Sequence, residues 1–233
     1  MVVLTCGAAV LVAVQVRHVR TVARERRGMV TEACAVLDDP VLLQEGLAYP
    51  RLTGRYAGLP VKVDLIPDDM TTRQLPRLWL AVSVRTTIPI ESAMDVLLQP
   101  KSSDIVSPSA RFPHEHQPPP SWPSYSRVAT QGPDVPRWAA LNSAVPVLHQ
   151  PETKDMVIGP GGVRVVQELA RGEVGHYRGM RRSKFVCVLS PVRLRSALDG
   201  AVTVARTVAA DLDCAPTAPP AELPTPREAP EAW

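Results

Sequence analysis

Residues Met1–Val16 read MVVLTCGAAVLVAVQV, carry no charge, and include only Thr5 and Gln15 as polar side chains. A helix that is apolar all round has to be buried, either in protein or in lipid. A helix crossing the hydrocarbon layer takes about 20 such residues, with about 17 as the lower limit. At ~1.5 Å per residue this run covers roughly 24 Å, which is short. Arg17 and Arg20 follow directly. Their aliphatic stems can lie along apolar surface while their charged heads reach outward, which lengthens the effective span together with Val19 and Val22.

Three fates are open to such a run. A secretion signal places its positive charge ahead of the apolar stretch and a small-residue cleavage site behind it. Here the order is reversed, because Arg17, His18, Arg20, Arg24, Arg26 and Arg27 come after it. Burial as a soluble core helix is the second fate. The third, a membrane anchor, fits the cationic flank best. It makes residues 1–22 a transmembrane anchor and 23–39 a juxtamembrane helix. That helix is weakened at Gly28 and stopped by Asp38-Asp39-Pro40. Lys and Arg beside a span stay on the cytoplasmic side, so the domain is expected to face the cytoplasm. The membrane is therefore the first partner expected.

Residues 40–212 read as an α+β domain with a small, mostly antiparallel sheet. Val61, Val63 and Leu65 alternate with Lys62, Asp64 and Ile66, the period of a half-buried strand. Leu52 to Tyr56 can pair back on this strand across Ala57-Gly58. A second strand runs through Leu78, Leu80, Val82 and Val84, and Ala93 to Leu98 adds a short one. Residues 99–123 read as a long Pro-rich loop. A short helix is expected around Trp138 to Leu141. Beyond it, a strand from Asp155, a turn at Gly159–Gly162 and a further strand follow, with more extended pieces at 174–180 and 184–189. Ser190-Pro191 then opens a helix, with Ser as N-cap and Pro in the first turn. Leu194, Leu198, Ala201, Ala205, Val208 and Leu212 recur at three and four along it, so one face is apolar and should pack on the sheet.

Hydrophobic residues make up 45% of the chain, enough for a core, but aromatics are only 4%, so Val, Leu and Ala must fill it. Of the 25 prolines, 13 gather in two stretches, the loop and the segment 213–233. The latter has no apolar periodicity and reads as a disordered tail. The stretches GRYAGLPVKV and GPGGVRVV share a turn-then-strand pattern, a short hint of a duplicated unit.

Motifs that carry chemistry are sparse. Cys6, Cys34, Cys187 and Cys214 have no metal or redox spacing. Gly159-Pro160-Gly161-Gly162 lacks the Lys-Ser/Thr of a phosphate loop and reads as a turn. His114-Glu115-His116 could point two imidazoles the same way, but a third ligand is wanting; His149 and His176 are the other histidines to consider. Asp38-Asp39 and Asp68-Asp69 sit beside prolines, where Asp favours turns. No catalytic, cofactor or metal site is assigned.

The best interaction candidate is Arg178, Arg181, Arg182 and Lys184, flanked by Tyr177 and Phe185, as a patch for an anionic partner. A net charge of +3 is mild for a nucleic-acid binder. The reading adopted is a membrane-anchored, non-enzymatic domain that recruits or supports a protein partner. An enzyme or small-ligand domain is the alternative, with Asp68, Arg73, Trp79 or Arg164 in a cleft. A nucleic-acid module comes third.

Overall fold

The computed structural model describes residues 2–68, 75–100, 106–108, 111–172 and 185–213, with side chains from residue 11 onward. Two helices flank the strands: α1 (Val2–Thr31), followed by a 3-10 turn at Glu32–Val36, and the C-terminal helix, α3 (Pro191–Asp213). A second 3-10 turn (Trp138–Ala144) runs into a single helical turn, α2 (Val145–Leu148). The strands are β1 (Asp38–Leu43), β2 (Arg51–Tyr56), β3 (Leu59–Asp68), β4 (Arg77–Arg85) and β5 (Met94–Leu98). They continue as β6 (His114–His116), β7 (Ser126–Thr130), β8 (Thr153–Gly159) and β9 (Gly162–Arg171). Among the described residues all lie in one nine-stranded sheet of order β1-β2-β3-β4-β9-β8-β5-β7-β6. Every pairing is antiparallel. The α+β expectation holds, with a sheet larger than expected.

The hairpins follow from local chemistry. Tyr56 pairs with Leu59 across a two-residue turn in which Ala57 and Gly58 both have positive φ. That is a type I′ turn, whose twist matches the flanking strands. The β8–β9 turn also has two residues, Pro160 and Gly161, between the paired Gly159 and Gly162. Gly162 has φ +131°, and a Cβ there would fall 2.0 Å from the Val84 carbonyl oxygen, so only glycine fits. The chain leaving β4 crosses this turn, with the Thr86 and Ile88 amides donating to Gly161 and Pro160.

One sheet face carries the main core. Leu52, Val63, Leu80, Val82, Val96, Met156 and Val165 meet Leu194, Leu198, Ala201, Ala205 and Val208 of α3. The expected cap is present, since the Arg193 amide donates to Ser190 Oγ at 3.3 Å. Tyr56 Oη donates to Asp199 at 2.6 Å, and Arg206 donates to the Ala57 carbonyl, so the first hairpin is tied to α3. On the opposite face Trp79, Ala81, Val106 and Val166 form a smaller cluster. Within 99–123, where a loop was expected, β6 adds to the sheet and Trp122 is buried edge-on against Trp138 at 5.4 Å.

The N-terminal segment differs from expectation in two respects. The separate anchor 1–22 and juxtamembrane helix 23–39 are one 30-residue helix, uninterrupted at Gly28, and Asp38-Asp39-Pro40 opens β1. Gly28 sits on the exposed side with nothing near its Cα, so it demands no break. Among the described residues no helix is long and apolar enough to cross a membrane. The expected extended piece at 174–180 and the tail 214–233 lie outside the described residues.

Candidate functional site: a projecting helix, a buried carboxyl pair and a cavity

Among the described side chains, helix α1 meets the body over its C-terminal half. Met29, Val30 and Ala33 enter the core, and the Met29 carbonyl accepts the Leu189 amide at 2.7 Å. The β1–β2 loop holds the preceding turn. Gln44 Nε2 donates to the Ala23 carbonyl at 3.0 Å, Arg26 donates to the Leu47 carbonyl, and its guanidinium lies 4.4 Å from the Tyr49 ring centre. Further toward the N-terminus the side chains meet solvent, Leu11, Val12 and Val14 being more than 60% exposed. Exposed valines and leucines in a row are what a covering phase removes from water, at about 25 cal/mol per Å².

The second candidate is a pair of carboxyls in the smaller face of the sheet. Asp95 lies opposite Val157, and Asp155 opposite Leu97, so the two are diagonal neighbours on one face. The diagonal continues in both directions. Arg127 is opposite Leu97 on β7, and Arg164 is opposite Val157 on β9. Arg127, Asp95, Asp155 and Arg164 thus zigzag across four strands among Ala129, Leu97, Val157 and Val166. Both aspartates are fully buried. Ser107 donates to Asp95 Oδ2 at 2.6 Å, and Arg164 donates to the Val106 carbonyl at 3.1 Å.

Burial raises the Asp95 pKa, against the hydrogen bond from Ser107 and the charge of Arg164. Burial raises Asp155 well above the ordinary carboxylate value, and the charge of Asp95 adds to it. Burial and the mutual charge both favour the protonated form, most strongly at Asp155. The positive charge of Arg164, the diagonal neighbour of Asp155, opposes both shifts.

The third candidate is a cavity of about 500 Å³ with Met94, Leu141 and Ile158 in its apolar lining and Glu91, Asp134 and Arg137 as charged groups. It lies between the ends of β5, β7 and β8 and the Trp138–Ala144 turn, and Leu212 near the end of α3 also reaches it.

The residues read from sequence fall out as follows. Arg178, Arg181, Arg182 and Lys184 lie outside the described residues, as do Arg73 and His176. His114 and His116 share a face of β6, but Nε2 of His116 is 2.7 Å from Thr130 Oγ1 and Glu115 pairs with Arg127. His149 is elsewhere, 3.1 Å from the Ser121 carbonyl. No cluster of three metal-ligating side chains occurs among the described residues. Trp79 shares the smaller cluster with Val106, whose carbonyl accepts from Arg164, whereas Asp68 sits buried at the end of β3. Asp95 and Asp155 were missed. Their signal was present: each is the one acid inside an apolar strand, MDVLL and TKDMVIG.

Neither a protein-family model nor a curated protein matches the chain. The structure is similar to the crystal structure of the mycobacterial trehalose monomycolate transport factor A, TtfA, at 12% identity and a TM-score of 0.44, covering 83% of this chain and 94% of that one. A likeness at that level does not carry the role of TtfA over to this chain.

Proposed function

We propose that the chain is a single-pass, membrane-anchored domain that faces the cytoplasm and serves a protein partner without catalysing a reaction. The observation that carries this reading is α1. It is clasped by the domain at Ala23 to Met29, while its apolar residues from Leu11 to Val16 stand in the open. A soluble domain rarely leaves such a row uncovered. The uncharged residues that precede it in sequence lengthen the run, and the arginines that follow set its direction. The patch Arg178, Arg181, Arg182 and Lys184 is kept as a contact for an anionic partner. Fractionation of the full-length protein with an alkaline carbonate wash tests the anchor. Retention in the washed pellet supports it. Release into the supernatant makes residues 1–16 an interface helix and removes the topology argument.

A second reading, a small-ligand domain, draws on the cavity beside Met94 and Leu141. An apolar lining with a few charged groups at its edge is the usual form of a ligand site. A thermal shift produced by one member of a small-molecule panel, and removed by Leu141→Trp, would favour it over the scaffold.

A further inference from the structure

We infer that Arg17, Arg20, Arg24 and Arg27 form a binding surface for anionic phospholipid headgroups, with a contribution that falls with distance from Val16. This rests on the membrane-anchored reading and names the lipid chemistry that the helix selects.

The four arginines are spaced three, four and three apart. At ~100° per residue they fall within about 80° of one another, a single stripe. All four are exposed. The other side of the helix is committed to the protein, because Val19, Val22, Ala23 and Arg26 are half-buried and the β1–β2 loop grips Ala23 and Arg26. The clasp fixes the rotation of α1 about its own axis, so the stripe has a defined direction and is not averaged around the helix. Among the described residues none of the four forms an ion pair with an acid. Glu25, the one carboxylate within this stretch, points about 120° away from the centre of the stripe. The stripe is continuous with the exposed apolar row that would enter the bilayer, so the two sit on one rod in the order a membrane surface requires.

Height follows from helix rise. Past Val16, Arg17 stands ~1.5 Å, Arg20 ~6 Å, Arg24 ~12 Å and Arg27 ~16 Å along the axis. The headgroup layer on one side is roughly 5–8 Å deep, and charges are screened over about 8 Å. Arg17 and Arg20 therefore reach the headgroups, Arg24 acts from about one screening length, and Arg27 lies beyond it. Positive charge near an anionic surface contributes about five-fold in affinity per residue.

The test uses the full-length protein in phosphatidylcholine vesicles carrying trace spin-labelled phosphatidylglycerol or phosphatidylcholine. Electron spin resonance reads the selectivity for one lipid over the other at the protein. The wild type should favour phosphatidylglycerol several-fold. Arg17→Gln with Arg20→Gln should bring that ratio close to one, Arg17→Lys with Arg20→Lys should keep it, and Arg24→Gln with Arg27→Gln should leave most of it. Absence of selectivity in the wild type, equal losses from the two Gln pairs, or displacement by millimolar inorganic phosphate would overturn the proposal. Failure of the anchor reads out separately, as release of the wild type from neutral vesicles at alkaline pH. If the protein is released yet floats with phosphatidylglycerol vesicles, and the Arg17/Arg20 double Gln variant does not, the stripe stands without the anchor.

Discussion

Asp95 and Asp155 are diagonal neighbours on adjacent strands, both without solvent exposure, and Ser107 closes over one of them at 2.6 Å. Their arrangement makes stability depend on pH in a direction opposite to that of most carboxylates. In the folded state the pair holds a proton that the unfolded chain gives up near the ordinary carboxylate value. The folded state thus binds more protons than the unfolded one above that value. The stabilisation is fully present below it and is lost as pH rises through the raised folded value.

Asp155→Asn should therefore stabilise the protein at pH 8, because an amide stands in for the protonated acid. The expected gain is about 1–2 kcal/mol, with a flatter profile between pH 5 and 9. Urea midpoints across that range measure it. A variant less stable than wild type at pH 8 would show that the pair is ionised and balanced by its arginines.

Asp64 predicts the opposite sign. Burial raises its carboxyl, but the hydrogen bonds and charges of Lys62 and Arg51 outweigh this and hold it below the ordinary value. Its contribution is present above that value and disappears as pH falls below it. Asp64→Asn should reduce stability at pH 7 by less than about 1 kcal/mol, since the partners are partly exposed, and should change nothing at pH 2.

Gly162→Ala should cost about 3 kcal/mol, from a disfavoured backbone angle and a clash with the Val84 carbonyl. In a chain of this size that lowers Tm by roughly 6–12 °C. Gly161→Ala, with open space around its Cα, should cost far less. Equal losses at the two positions would show that the turn relaxes.

Leu198→Ala should cost about 2–5 kcal/mol, because the side chain is fully buried between α3 and the sheet. Val192→Ala, at 75% exposure on the same helix, should stay within about 0.5 kcal/mol. Comparing the two by chemical denaturation measures how much of α3 stability comes from its apolar face.

Much of this architecture was legible where local signals and tertiary demands agree. The alternation in β3, the glycine-bearing turns and the Ser190 cap each state their outcome within a few residues. β1 was hidden because Asp38-Asp39-Pro40 reads as a stop, and the chain instead enters the strand through a bulge with Asp39 at φ +49°. β6 and β7 are short and polar, and their strand form comes from their pairing with β5 and with each other. The carboxyl pair could not be assembled from sequence, because Asp95 meets Asp155 only through the placement of β8 beside β5. In α1, apolar composition was legible, but the clasp by Gln44 and Tyr49 depends on a loop remote in the chain.

The two outermost strands have a consequence for how copies of the chain can meet. β1 offers Pro40, which has no N–H to donate, and a register break between Asp38 and Val41. At the other rim β6 is only His114–His116, with Pro113 before it and Pro118 to Pro120 soon after. Neither rim presents a long, flat row of free backbone groups on which a tenth strand could grow. An open sheet edge is a template on which a strand of another copy can pair. Rims blunted in this way are poor templates for edge-to-edge growth between copies.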